Sequence, residues 1–376
     1  SKRPTCFVNG VYPEFLKYGN GAFAYDMDGK SYIDFIQGLG STVLGYAHPE
    51  VGQAVINQWA RGANLSLATD LEVVVAEKVK ELFPCVERLR FLKTGSEATM
   101  SAIRIARAYN QGTVVHSHGY HGQADEFISL TPPHFGVYDT GYIKPLDDFD
   151  FDDAVSSVII EPILTELSPK RIDYLKELRE VCTKKQIVLI FDEIITGFRF
   201  PKFSVTNHLG ITPDLICLGK AMASGMPISV VGGKKEIMEC CEYFVSSTFA
   251  GETLSLASAL KTMTLLQTKY KLDDLWEKGA KFLKGFNSFW PERIRIEGYA
   301  TRGVFEGDPH IIACFWQESV KAGLLFGKSW MFGFPLIEHI DGVLHTSKDI
   351  IERIKNGNVK LLGDLPTSPF SMKARK

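Results

Sequence analysis

Ile187-Val-Leu-Ile-Phe-Asp192-Glu193 and Asp214-Leu-Ile-Cys-Leu-Gly-Lys220 decide the fold. Each is a short, almost wholly apolar run that ends in charge. Such runs read as strands buried on both faces, as in a parallel sheet covered by helices. Outward from them, the chain alternates between about Phe91 and Gly233. Arg90–Lys93, Thr113–His116, Val158–Ile160 and Ile228–Val231 read as further strands. Glu97–Tyr109 reads as a helix with Ala98, Ala102, Ile105, Ala106 and Tyr109 on one face and Arg104 and Arg107 off it. Ile172, Leu175, Leu178 and Cys182 mark another, ending near Lys184-Lys185. This alternation predicts an α/β fold with a mostly parallel sheet between helices. Ligands of such sheets bind beyond the carboxyl ends of the strands, where Asp192 and Lys220 fall.

The flanks differ. Ala22–Asp34 reads as a β-hairpin turning at Asp28-Gly29, and Gly38-Leu-Gly-Ser41-Thr-Val-Leu-Gly45 as a glycine-punctuated loop. Leu254–Lys269 and Leu272–Trp290 read as two long helices, with Leu275, Phe282, Phe286 and Phe289 in phase on the second. The expected division is 1–50 and 270–376 for a smaller α+β domain and 51–269 for the large one. The chain has 376 residues, 45% of them hydrophobic, enough for two cores. A net charge of −2 gives no electrostatic reason to expect nucleic acid or an acidic membrane as partner. The basic end Lys373–Lys376 reads as a solvated terminus. No apolar run is long enough for a bilayer, and Ser1–Thr5 opens no signal peptide. Seven dispersed cysteines, Cys240 and Cys241 adjacent, fit reduced thiols in a cytoplasmic protein.

Lys220 and Asp192 place an amine and a carboxylate at one crevice. Pyridoxal phosphate chemistry needs such a pair: an amine to form an imine with its aldehyde, and a carboxylate to keep its ring nitrogen protonated. The plainer alternatives are a surface lysine after glycine and an aspartate capping the next turn, which Arg199 could pair. Thr94-Gly95-Ser96-Glu97 fits a capping box, and equally a phosphate site at a helix N-terminus. Tyr120, in His118-Gly-Tyr120-His121-Gly122, could lie on a planar cofactor with His121 as a hydrogen-bonding neighbour. A packed aromatic and a solvated histidine are the alternative, and His116, His118 and His134 are read that way. No metal-ligand spacing is present. Thr248 could donate to a phosphate, whereas Thr253 reads as a helix N-cap. Glu161 could approach the cofactor's phenolic side or be structural.

Taken in order, these segments resemble the class III aminotransferases, of fold type I among pyridoxal phosphate enzymes. The likeness is nearest to the glutamate-1-semialdehyde aminomutase branch and runs from about Gly10 to Ile351. It is carried by Thr94–Tyr109, Tyr120–Gly122, Phe191–Arg199, Pro213–Lys220 and Thr248–Ser255. The resemblance implies a seven-stranded large domain and a homodimer with shared active sites. It implies Lys220 as the Schiff-base lysine and proton shuttle, and Asp192 on the pyridine nitrogen. Gly95 and Ser96 would hold the phosphate, Tyr120 and Ile194 would cover the ring's two faces, and Thr248 would reach the neighbouring subunit's phosphate. Ser41 and Arg302 are the implied substrate contacts, a surface turn being the alternative for Gly298–Arg302.

The chain departs from the aminomutase pattern in two places. Cys6–Glu14 holds no arginine, and Phe326–Phe332 lacks the glutamate expected there. The stretch Leu130–Asp152 is also compact. The expected activity is therefore transamination from an amino-acid donor to a keto or aldehyde acceptor. An intramolecular aminomutase and an amino-acid racemase or epimerase are the alternatives with the same residues. A catalytically silent binding protein is the alternative of another class, and retention of both Lys220 and Asp192 speaks against it.

Overall fold

The structure, a computed structural model, describes residues 7–8, 10–128, 137, 141–152 and 154–366. His134 and the basic C-terminal end lie outside them, as does most of the stretch 130–140. Two compact units are present: Glu50–Leu272, and a smaller one built from both chain ends, up to Pro49 and from Asp273 onward.

The large unit carries seven strands: β1 (Arg88–Leu92), β2 (Val114–His118), β3 (Ile143–Pro145), β4 (Val155–Ile160), β5 (Val188–Asp192), β6 (Leu215–Leu218) and β7 (Ser229–Gly233). They form one sheet in the order β1-β7-β6-β5-β4-β2-β3. Strand β7 runs antiparallel to both its neighbours, and the other pairings are parallel. Every residue of β4, β5, β6 and β7 is buried, so these strands have no polar face to alternate with.

The helix Gly95–Asn110 packs on this sheet. Its Ala98, Ala102, Ile105 and Ala106 are wholly buried and share one core cluster with Val115, Ile159, Ile190, Cys217 and Val231. The small residues let the helix backbone approach the strands closely. Tyr109, expected on the same face, is 40% exposed. It falls in the last turn of the helix. The helix Pro169–Lys184 buries Leu175, Leu178 and Cys182. At the end of the unit, Thr253 does not cap the helix Thr253–Thr268. Glu252 does, accepting from Leu254 N at 2.8 Å and Ser255 N at 3.0 Å. The Thr253 hydroxyl instead donates to the carbonyls of Gly62 and Ala63. A carboxylate one residue upstream reaches both orphan amides, leaving the threonine for a tertiary contact.

The smaller unit holds the expected hairpin, Phe23–Asp26 against Ser31–Asp34. Asp26 Oδ1 accepts from the amides of Asp28 and Lys30, and Gly29 takes a left-handed φ of 85° to close the turn. Leu324–Leu325 adds to this sheet in parallel. A second sheet joins Ile294–Tyr299, Arg302–Gly307 and Ser329–Met331. Phe282 and Phe286, in phase on the helix Leu272–Asn287, are fully buried among Phe305, Phe315 and Trp330. Ala300 and Thr301, the turn before Arg302, are buried too, so Gly298–Arg302 is not a surface turn. Among the described residues, no helix is long and apolar enough to cross a membrane.

Candidate active site

Sheet order makes neighbours of β5, which ends in Asp192, and β6, which leads to Lys220. Asp192, the last residue of β5, lies opposite Cys217 of β6, and Glu193 N donates to Cys217 O at 2.9 Å. Strand β6 ends one residue later. Gly219 continues extended, and Lys220 turns with a left-handed φ of 43° into a short 3₁₀ segment. A lysine pays about 1–2 kcal/mol for that conformation, which points to a constrained site. The ε-amine thus leaves the strand end next to the one that ends in Asp192.

Ile194 ties this pair to the helix start. A Cβ on Gly219 would sit 3.1 Å from Ile194 Cδ1, and a Cβ on Gly95 would sit 3.1 Å from Ile194 Cγ2. The side chain therefore lies between the turn before Lys220 and the N-terminus of Gly95–Asn110. A larger residue at either glycine would make Ile194 shift by a few tenths of an ångström.

Asp192 is buried, and both its oxygens are used. Oδ1 accepts from Ile194 N at 3.1 Å, the local turn cap expected of a strand-end aspartate. Oδ2 accepts from His121 Nδ1 at 2.8 Å, with the proton on Nδ1 in the donating tautomer. The imidazole is wholly buried, its Nε2 has no partner among the described residues, and its ring lies edge-on to Phe127. Thr99 Oγ1 donates to the His121 carbonyl at 2.6 Å, fixing the loop to the helix. The turn cap read for Asp192 is thus realised through Ile194 N, and His121 is not a solvated histidine.

The helix N-terminus is closed as expected. Thr94 Oγ1 accepts from Glu97 N at 3.2 Å, and Glu97 Oε2 accepts from Thr94 N at 2.7 Å. That leaves the first-turn amides of Gly95 and Ser96 as the orphan donors. Ser96 Oγ accepts from Gln123 N at 3.0 Å. Gly122 sits at φ 106°, and a Cβ there would fall 2.2 Å from Ser96 Oγ. Only glycine lets the 121–123 loop pass this close. Just upstream, Glu161 Oε1 accepts from Tyr120 N at 2.8 Å, so the glutamate at the end of β4 positions the turn that presents Tyr120. The tyrosine is half-exposed, and burial of the rest raises its phenol pKa. His116 packs on Phe151 and bonds Pro145 O, and burial followed by Arg171 lowers the pKa of His118.

Gly95, Ser96, Tyr120, His121, Glu161, Asp192, Ile194 and Lys220 therefore gather at one end of the sheet. Thr248 lies in the same unit on an exposed turn, Ser247 to Glu252, outside this cluster. Ser41 and Arg302 belong to the smaller unit, where the Ser41 hydroxyl donates to Gly38 O. The sequence reading missed Lys93, whose Nζ is 2.6 Å from Glu252 Oε1 with both side chains mostly buried. A lysine directly before a helix cap is the one local signal that could have drawn attention to it. Among the described residues, no group of three or more His, Cys, Asp or Glu is arranged to hold a metal ion.

The sequence pattern of the aminotransferase class-III family matches residues 8–139 and 140–328, and the chain belongs to that family. Its relatives include a 3-aminobutyryl-CoA aminotransferase of Cloacimonas acidaminovorans, 37% identical over 298 residues, covering 75% of this chain and 72% of that one. A glutamate-1-semialdehyde 2,1-aminomutase of Syntrophobacter fumaroxidans is 30% identical over 94% of this chain and 92% of its own. In fold, the chain matches an omega-transaminase from Sphaerobacter thermophilus with a TM-score of 0.83, covering 94% of each chain at 24% identity. The protein is thus a pyridoxal phosphate-dependent enzyme of fold type I that acts on small-molecule amino donors and acceptors. The residues present fit that cofactor: a buried carboxylate, an adjoining lysine, a glycine-opened helix N-terminus and an exposed aromatic lie at one end of the sheet.

Proposed function

We propose that the protein is an aminotransferase carrying an amino group from an amino-acid donor to a keto or aldehyde acceptor through Lys220. The observation that carries this is the placement of Asp192 and Lys220 on the ends of adjoining parallel strands, with Ile194 packed beside both turns. Gly95 and Ser96 would hold the phosphate through orphan amides and a hydroxyl. Tyr120 and Ile194 would cover the two faces of the ring. His121 would hold the Asp192 carboxylate in place, and Asp192 would keep the proton on the ring nitrogen. Bound there, pyridoxal phosphate supplies a ring that takes up the negative charge left when a donor loses its α-proton. Lys220 would hold the cofactor's aldehyde carbon through Nζ. Once freed, that Nζ would be the group that carries the donor's α-proton. Ser41 and Arg302 are the proposed substrate contacts.

Supplying the loaded protein with one amino donor and no acceptor tests this. About one equivalent of keto product per subunit should be released, and turnover should resume only when an acceptor is added. The relatives named as aminomutases favour a second reading, in which the amino group moves within one molecule. An isomerised product formed with no acceptor would establish it. Inversion of the donor without keto product would instead indicate a racemase.

A homodimer is part of the proposal. Ile56, Trp59, Leu65, Leu67, Val73 and Val74 lie exposed within one stretch of the large unit, and Phe249 beside Thr248 is exposed as well. Apolar surface of this extent is usually covered by a partner. Thr248 would then reach the phosphate held by the other subunit. Sedimentation at twice the chain mass is the expected result, and a stable monomer would remove the shared site. Six cysteines are free among the described residues, which supports a reducing, cytoplasmic setting.

A further inference from the structure

Lys93 directly follows the last residue of β1, yet its ammonium is mostly buried. Its amide donates to Glu97 Oε2 at 3.1 Å, within the capping box of the helix that starts at Gly95. Its Nζ donates to Glu252 Oε1 at 2.6 Å and to the carbonyl of Pro227 at 3.1 Å. Glu252 is in turn the N-cap of the helix Thr253–Thr268 and closes the turn that carries Thr248. Pro227 leads into β7, whose first residue, Ser229, donates its hydroxyl to Thr94 O at 2.7 Å. One lysine therefore joins the end of β1, the entry to β7 and the cap of a second helix, and all three frame Thr94-Gly95-Ser96. Burial lowers the lysine's pKa, and the neighbouring Glu252 carboxylate opposes that shift. The pair is shielded from water, which strengthens it relative to a surface pair.

We propose that Lys93 is a positioning residue for the phosphate end of the cofactor, acting through Glu252 and Pro227 rather than by touching the phosphate. Two of its three donors are already committed to those partners, which aims the ammonium at the Glu252 cap. What it contributes is a fixed turn. The amides of Gly95 and Ser96 keep their aim because the residue before their cap cannot move. The Thr248 turn is anchored by the same carboxylate. The inference rests on reading Gly95 and Ser96 as the phosphate site.

The test uses the full chain stripped of cofactor and titrated, by absorbance, with pyridoxal phosphate and in parallel with pyridoxal, which lacks the phosphate. Lys93→Met should weaken pyridoxal phosphate binding by about tenfold or more, the scale of a lost charge-assisted hydrogen bond. Pyridoxal binding should be unchanged. Glu252→Gln, which keeps an acceptor for the helix cap, should show the same phosphate-specific loss in smaller measure, and Lys93→Arg should recover most of the affinity. Equal loss for both ligands would reduce Lys93 to a general structural role and overturn the inference, as would unchanged pyridoxal phosphate affinity in both variants. A wild-type protein that binds pyridoxal as tightly as pyridoxal phosphate would overturn the phosphate-site reading itself, a result separable from the others because it needs no variant.

Discussion

Lys220→Ala should lose turnover by at least about 10³-fold, the scale of removing both a covalent anchor and a proton carrier. The visible absorbance that depends on covalent attachment of the cofactor should vanish with it. The substitution leaves the strand intact, because Lys220 lies beyond the last residue of β6. Cofactor should still bind through the groups on its phosphate and ring, only more weakly. Small primary amines added to the solution should restore part of the turnover, since what is missing is an amine at a fixed place. Retained turnover together with retained absorbance would remove Lys220 from the reaction and leave the strand-end pair without a chemical role.

Asp192→Asn should reduce turnover by about 10²- to 10³-fold, the range for removing one preorganised charge from a water-poor site. The amide is nearly isosteric, so the loss reads the charge rather than the volume. Two interactions change together. The ring nitrogen loses its anionic partner, and His121 Nδ1–H keeps a neutral acceptor only if the amide presents its oxygen. Asp192→Ala should lose more, because it also leaves the buried His121 donor unpaired and opens space below Ile194. Thermal melting of the two variants separates these effects: Asn should melt near the wild type, Ala clearly below it. Full turnover in the Asn variant would show that the carboxylate is only a turn cap.

Much of the site was legible along the chain because its signals are local. An apolar run ending in Asp192, another ending in Lys220 and a capping pair at Thr94 and Glu97 each occupy a few consecutive residues, and each sits where it was expected. Glycine requirements were partly legible in the same way: Gly95 and Gly122 stood in the right segments, but the atoms that crowd a side chain there, Ile194 Cγ2 and Ser96 Oγ, come from elsewhere. Errors arose where a local rule met a tertiary competitor. Thr253 is a good N-cap type, yet Glu252 caps the helix because the threonine is taken by Gly62 and Ala63. Tyr109 has the helical phase of the buried alanines yet is partly exposed.

Read along one dimension, the chain determined which segments are strands and helices, which cofactor class suits them and which two strand ends deliver a charged residue, because periodicity and capping depend only on near neighbours. Sheet order, the reversed direction of β7, the bond from His121 to Asp192 across 71 positions and the link from Lys93 to Glu252 across 159 were decided in three dimensions. Those depend on which strands lie side by side, and that is settled by the packing of whole faces rather than by any short run of residues.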